Sequence, residues 1–430
     1  MKEAWKIILI LMLAFCCIGC NNAAVPIESS AEMLESTTET EPVLATEETV
    51  LPTEPELEAS LIQEGVKVFV DNDDWTEVVR DGRHRSCRAI FANQKLTIES
   101  ETPFSSLYLQ WNEVPGPYSI VWDGGSVECG RYGFLHEYIQ LPEPVGCVRF
   151  AFEDQITHNL CEVDVLTEGY APKGIQTWLP PCEEADILIF PTHSDDDTLF
   201  FGALIAYYAI ERQLVIQTAF MVEHTYYPER GHERLNGLWE MGIRHYPILG
   251  TAPDSPISDF SEAMAFYGDC NIRQWQVEQI RRFKPLVVVG HDLNGEYGNG
   301  GHKVNAYYLV QAVEQASDPE VYPELTQEYG TWDTPKLYLH LYSENEILMD
   351  VEITLQNDPY GRTAFEIAED AYDCHVSQHK WGYYHVQYNA DPAMDCRSFG
   401  LFRTLVGLDT TADIMDNIDA NQWRSTDVGA

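Results

Sequence analysis

Positive charge is what this chain has least of: 26 Lys and Arg stand against 69 Asp and Glu, a formal net charge of −43 over 430 residues. A surface of that sign repels phosphate backbones and anionic headgroups, which argues against nucleic-acid binding and polybasic membrane attachment and leaves neutral sugars or cationic partners. No apolar run approaches the roughly 20 residues of a membrane-spanning helix, and no repeat or collagen-like period is visible. Of 11 cysteines, three fall in the first twenty residues. The other eight, Cys87, Cys129, Cys147, Cys161, Cys182, Cys270, Cys374 and Cys396, contain no CxxC pair, which argues against a structural zinc knuckle. An even set permits disulfides in an exported chain, a domain of this size does not require them, and their pairing stays open.

What is present begins with a targeting segment, residues 1–19: Lys2 and Lys6, apolar residues 7–15, then Cys17, Ile18, Gly19 and Cys20. Gly19 before Cys20 resembles the lipobox of bacterial lipoproteins, which implies cleavage before Cys20, a lipid anchor on its thiol and a place on the extracytoplasmic face of the cell membrane. Residues 20–60 read as an acidic, disordered tether. Residues 21–60 carry ten Glu and no Lys or Arg, a composition that buries too little apolar surface to order itself.

Two folded regions with different periods follow. Residues 61–170 show short alternating runs, at 67–70, 88–92, 96–100, 106–111, 118–122, 148–152 and 162–166, punctuated by Gly, Pro and Asp; this pattern predicts an all-β sandwich. It resembles the jelly-roll carbohydrate-binding modules attached to secreted sugar enzymes. Trp75, Trp111, Tyr118, Trp122 and Tyr132 supply flat faces that stack on pyranose rings, or else they pack the core. From 180 to 425 apolar strands alternate with helical stretches, the α/β pattern of a Rossmann-like, mostly parallel sheet with helices on both faces. Strands are expected at 185–190, 214–221, 286–290 and 336–342. Helices are expected near 198–211, 229–241, 302–316 and 362–377.

The apolar run 185–190 leads straight into Pro191, Thr192, His193, Ser194, Asp195, Asp196 and Asp197. In an open α/β sheet the carboxyl ends of strands are where ligands bind, so an imidazole and three carboxylates stand at a preferred site. An Asp-rich helix start is the alternative reading. A hydrolytic zinc site holds the metal by three protein ligands and leaves a fourth position for water. His193 and Asp196 offer two. The third is expected from the end of another strand, and strand 286–290 runs into a Gly-rich segment, 290–302, that contains His291 and His302.

With these residues the chain resembles the PIG-L, or LmbE-like, family of zinc-dependent N-acetylglucosaminyl deacetylases. His193-Ser194-Asp195-Asp196-Asp197 stands where the family has His-Pro-Asp-Asp-Glu, and His302 where it has the last His of His-x-x-His. Arg230, Glu233, Gly237, Met241 and Gly242 fit its Arg-x-x-Glu helix; Ala371, His375, Ser377 and Gln378 fit its Ala-x-x-x-His-x-Ser-Gln stretch. The resemblance implies that His193, Asp196 and His302 bind zinc and that Asp195 is the general base. It also implies that Tyr297 reaches the reacting carbonyl and that Arg230 serves the substrate side. Asn299 replaces the first His of the pair, so His291 is a candidate for the missing acid, and Asn299 itself for a donor to the oxyanion. A His2Asp set also accepts iron, cobalt or manganese.

The expected function is removal of an N-acetyl group from an N-acetylated sugar or glycan at the cell surface, with no nucleic-acid partner and membrane contact only through Cys20. A non-catalytic or weakly active glycan-binding lipoprotein and a metal-dependent amidase acting on another amide are the alternatives.

Overall fold

Alternation in Val66-Lys67-Val68-Phe69-Val70 buries every second side chain, and this segment opens an antiparallel sheet. The computed structural model describes residues 57–425 apart from 154–155, 225 and 269; the targeting segment, Cys20 and most of the expected tether lie outside the described residues. The strands of this sheet are β1 (Val66–Val70), β2 (Asp73–Asp74), β3 (Arg88–Ile90), β4 (Leu96–Trp111), β5 (Tyr118–Trp122), β6 (Gly125–Cys129), β7 (His136–Phe152) and β8 (His158–Leu166). They run in the order β2-β1-β4-β7-β5-β6, with β8 joining β3 to β4. The runs expected separately at 96–100 and 106–111 are one strand. Register shifts between Glu99 and Ser106 let its first half pair β1 and its second half pair β8.

Trp111, Tyr118 and Trp122 are core residues here, and Trp75 packs against the same core. Of the aromatics read as sugar platforms only Tyr132 is exposed, and it stacks on Phe134. Burial decides the matter, because a fully covered ring offers no face to a ligand.

In this sheet the Cys87 and Cys161 sulfurs lie 2.8 Å apart as free thiols. Oxidised glutathione is expected to cross-link them by thiol–disulfide exchange, each bond formed releasing two molecules of reduced glutathione. The bridge would close a long loop and raise stability on the order of 2–4 kcal/mol. Non-reducing peptide mapping checks this: the two cysteines should appear in one linked species, and their persistence as separately alkylated peptides would refute it.

The second sheet consists of β9 (Ile187–Ile189), β10 (Ile216–Glu223), β11 (Ile248–Pro253), β12 (Val287–Gly290), β13 (Lys336–His340), β14 (Glu346–Leu348) and β15 (Ser398–Thr404). Its order is β11-β10-β9-β12-β13-β15-β14. β9 to β13 are parallel, and β15 and β14 close one edge antiparallel. Helices α1 (Asp196–Leu199), α2 (Gly202–Ala206), α3 (Glu229–Glu240), α4 (Phe260–Phe266), α5 (Ile272–Phe283), α6 (Gly300–Gln315), α7 (Pro323–Tyr329) and α8 (Ala364–Asp373) connect these strands. Period-two alternation sorts the strand side chains between two cores. Ile187, Ile189, Val287 and Val289 join residues of α2, α3 and α8, whereas Leu188, Val288, Leu337 and Leu339 join residues of α5, α6 and α7. Helices therefore cover both faces, and each fully buried Val, Ile or Leu contributes roughly 1.5–3 kcal/mol of transfer free energy.

The single helix expected at 198–211 is broken into α1, α2 and a π-helical turn, Tyr207–Glu211. Phe200 and Phe201 occupy the break. Both are fully buried, and their rings lie 5.8 Å from His302 and 5.1 Å from His291. The strand order reverses between β9 and β12, so their carboxyl ends open a crevice there. Among the described residues no helix is long and apolar enough to cross a membrane.

Candidate metal and catalytic site

Each of the two strands at the crevice delivers one half of the site. The turn after β9 folds back on itself because Asp196 Oδ2 accepts the backbone N–H groups of Thr192 (3.1 Å) and His193 (2.6 Å). That holds the carboxylate beside the His193 ring. On the other side α6 starts at Asn299, whose Oδ1 accepts from the N–H of Gly301 (2.7 Å) and of His302 (3.2 Å). This N-cap fixes the first turn and aims His302 back toward β9. His193 Nδ1 and His302 Nε2 are 3.1 Å apart, and Asp196 Oδ2 is 3.2 Å from each.

These three residues are buried, and their donor atoms converge. A cation about 2.0–2.1 Å from two tetrahedrally placed nitrogens sets them about 3.3–3.4 Å apart, so the observed spacing fits such an ion with little adjustment. Burial raises the Asp196 pKa, but His302 and His193 more than reverse that and hold its carboxyl well below the usual range, in the ligating form.

Below the triad sits a residue that the sequence reading did not single out. Glu296 is fully buried, and its carboxylate accepts from His291 Nδ1 (2.8 Å), His302 Nδ1 (2.7 Å) and His340 Nδ1 (2.8 Å). With Nδ1 of His302 donating, its Nε2 presents a lone pair to the metal position, the arrangement by which a carboxylate orients a ligating histidine. A glutamate between two histidines in a Gly-rich loop was the available signal. Glu296→Gln is expected to lower metal affinity by roughly 10–100-fold. Equilibrium dialysis against zinc reads this directly, and an unchanged affinity would deny Glu296 the orienting role.

His291 lies beneath the site. Its Nδ1 is given to Glu296, and its Nε2 accepts the Thr192 N–H at 2.9 Å. Burial presses its pKa down, yet Glu296 and Asp196 raise it to about 10. A protonated ring would set Nε2–H against the Thr192 N–H, so the neutral Nδ1–H form is the one this geometry accommodates. With both nitrogens engaged and no exposure to the cleft, His291 supports the turn; the structure does not place it as a proton donor to substrate.

Asp195, Arg230, Tyr297 and Asn299 line a cleft of about 730 Å³ whose floor is His193. Arg230, on α3, is buried and donates to Asp195 Oδ1 at 2.6 Å. The surface ion pair that the helix alone would suggest is therefore an interior one. Burial and the adjacent Asp196 raise the Asp195 pKa against the pull of Arg230. Asp254, at the end of β11, faces the same cleft with Oδ1 3.6 Å from His193 Nε2. Burial raises it, but His224, His193 and Arg230 hold it well below the usual range. Tyr297 has φ +44°, a left-handed turn that leaves its ring partly exposed against His302 and Tyr384. Burial and the two aspartates push its hydroxyl well above the ordinary range, so it keeps its proton.

The other matched segments also converge. Glu233 of α3 accepts the Ser377 N–H (2.7 Å) and hydroxyl (2.6 Å), and Gly237 approaches α8 so closely that a Cβ would lie 3.1 Å from His375 Nε2. His375 is fully buried and neutral, with neither ring nitrogen in a hydrogen bond. At Gly301 an added Cβ would meet Asn299 Oδ1 at 3.1 Å and Thr192 Cγ2 at 3.3 Å, which leaves little room for a carboxylate there.

No family model matches the chain. Over 235 residues it is 26% identical to 1D-myo-inositol 2-acetamido-2-deoxy-alpha-D-glucopyranoside deacetylase 1 of Catenulispora acidiphila, covering 46% of this chain and 69% of that protein. Over 176 residues it is 30% identical to the deacetylase 2 of that name from Saccharopolyspora erythraea, covering 35% of this chain and 63% of that protein. Among solved structures, an N,N'-diacetylchitobiose deacetylase from Pyrococcus horikoshii is similar with a TM-score of 0.38 and 13% identity, over 52% of this chain and 85% of that one. These curated relatives are named deacetylases, and the matches at 193–197, 230–242, 302 and 371–378 are those by which the chain resembles the PIG-L, or LmbE-like, family.

Proposed function

We propose that this chain hydrolyses the acetamide of an N-acetylated amino sugar or glycan, using zinc held by His193, Asp196 and His302. The observation that carries the reading is that one member of the buried donor triad, His193, lines the same cleft as the Asp195–Arg230 pair. When bound, the cation supplies Lewis acidity and eases the loss of a proton from water. Asp195 takes that proton, its raised pKa matching it to the task better than Asp254, and later returns it to the departing amine. Arg230 fixes the Asp195 carboxylate, and Tyr297 donates to the oxygen on which charge gathers. Asn299 has spent its oxygen on the α6 cap, so only its amide N–H remains for the cleft. The products are acetate and a free amino sugar.

The curated relatives carry names for deacetylases of a 2-acetamido-2-deoxyglucopyranoside, which supports a sugar amide as substrate. The finer architecture belongs to the same proposal: a Rossmann-like catalytic sheet, supported by the strand order, and a jelly-roll-like β region. The Gly19-Cys20 pattern supports an exported lipoprotein anchored through Cys20.

Acetate release from a broad panel of N-acetylated glycans, measured with metal content, tests the reading. Release that chelation abolishes is the expected result. Cleavage of non-sugar amides alone would favour the amidase, and glycan retention without release in metal-loaded protein would favour a binding protein.

A further inference from the structure

Away from the cleft, three histidines from distant parts of the chain meet between the two sheets. His84 comes from the turn before β3, His136 opens β7, and His232 lies on α3. Ring centroids are 4.2 Å apart for His84 and His232, 5.0 Å for His136 and His232, and 5.8 Å for His84 and His136. The catalytic pair His193 and His302 shows a comparable 5.1 Å. Each ring of the cluster offers one nitrogen within 4.8 Å of the others. His136 and His232 are fully buried, and His136 Nε2 is 2.8 Å from His232 Nδ1.

Hydrogen bonds around the cluster settle where the His136 proton lies. The Trp178 indole N–H, a donor only, gives to Gln176 Oε1 at 2.8 Å, and the Gln176 amide nitrogen gives to Asn236 Oδ1 at 2.6 Å. Gln176 therefore turns its oxygen toward His136 Nδ1, at 2.7 Å, and that nitrogen must carry the hydrogen. His136 Nε2 is left with a lone pair aimed at His232, the tautomer and second-sphere bond of a metal-ligating imidazole. His84 Nε2 is held likewise by the Gln110 amide oxygen, which leaves its other nitrogen available. His232 Nε2, inside the protein, has no hydrogen-bond partner. The hydrogen that His232 Nδ1 gives to His136 Nε2 at 2.8 Å can move to the unpartnered Nε2 of His232 when a cation takes its place, so both buried rings can face the ion with lone pairs.

We propose that His84, His136 and His232 form a second metal site, separate from the deacetylase triad, for a borderline divalent cation of the zinc, nickel or copper class. An all-imidazole set without a carboxylate excludes calcium and magnesium, which demand oxygen ligands. One ligand comes from strand β7, one from the turn before β3 and one from α3, so the bound ion clamps that helix to the N-terminal β region. Arg230 stands two residues before His232 on the same helix and holds Asp195. Occupancy of the second site thereby steadies a contact in the first.

The test is metal stoichiometry of the full chain, stripped with chelator, reloaded with zinc, dialysed and analysed by elemental mass spectrometry. The parent should hold two equivalents, His84→Ala one, His302→Ala one and the double variant none. Cobalt loaded into His302→Ala should give the visible absorption of a low-coordinate N-ligated ion, lost in the double variant. His84 is the least buried of the three, and His84→Gln, with melting temperature as control, separates ligand loss from misfolding. Two equivalents in His84→Ala, or one in the parent and none in His302→Ala, would overturn the inference. One equivalent in the parent that survives His302→Ala and vanishes in His84→Ala would uphold it while removing the metal from the proposed deacetylase site.

Discussion

Asp195→Asn should retain the metal of the triad and lose acetate release by roughly 10²–10⁴-fold, the range for removing a general base. The substituted amide keeps the shape of the side chain but accepts no proton. It also breaks the 2.6 Å ion pair with Arg230, whose next carboxylate, Asp254, lies 3.9 Å away. That cost to a largely buried guanidinium is on the order of 1–3 kcal/mol, enough to shift the melting temperature without unfolding the chain. Activity must therefore be read beside metal content and thermal unfolding. The rival base is Asp254, which faces the same cleft. Its neighbours hold it strongly ionised, whereas burial and Asp196 keep Asp195 the more basic of the two. A metal-loaded, folded Asp195→Asn with parental turnover would hand the role to Asp254.

That contrast shows what the sequence makes legible and what it hides. The cluster 193–197 is local, so its residue types and the apolar strand before it announce a strand-end site, and β9, β10, β12 and β13 fall where apolar runs stand. Sequence order says nothing about which carboxylate is raised and which lowered, because His224 just after β10 and Arg230 on α3 meet Asp254 after β11 only through the crossovers. Edge strand β11 went unread since Gly250 and Pro253 dilute its apolar pattern. Helix α5 carried a readable stripe, Ile272, Val277, Ile280 and Phe283, and was nonetheless not expected. The antiparallel closure by β14 and β15 follows from no local period. Asn299 looked like a lost histidine; in the fold it is also the cap of α6, a role the Gly-rich spacing permits but does not reveal. Glu296 escaped notice because one buried carboxylate serves three rings, one of them His340 from 44 residues away.

The same carboxylate frames the second large effect. Removing any of His193, Asp196 or His302 should cost one full equivalent of bound metal and bring acetate release to background, since three protein ligands leave no redundancy. The quantity to read is the difference from the parent, so a second ion elsewhere does not obscure it. Asp196→Asn is the sharper variant: its side-chain oxygen can still accept from the Thr192 and His193 N–H groups, so the turn survives while the ligating charge goes. A second donor group, His291, Glu296 and His302, lies next to the first and shares His302. If the metal sat there, His302→Ala would empty the site but Asp196→Asn would leave it full. The hydrogen bonds argue against that outcome. Both His291 and His302 turn Nδ1 to Glu296 at 2.7–2.8 Å, so the contacts of this group are already hydrogen bonds, and the lone pair of His302 points to Asp196 and His193 instead. Loss of metal in Asp196→Asn with an unchanged melting temperature is therefore the expected result.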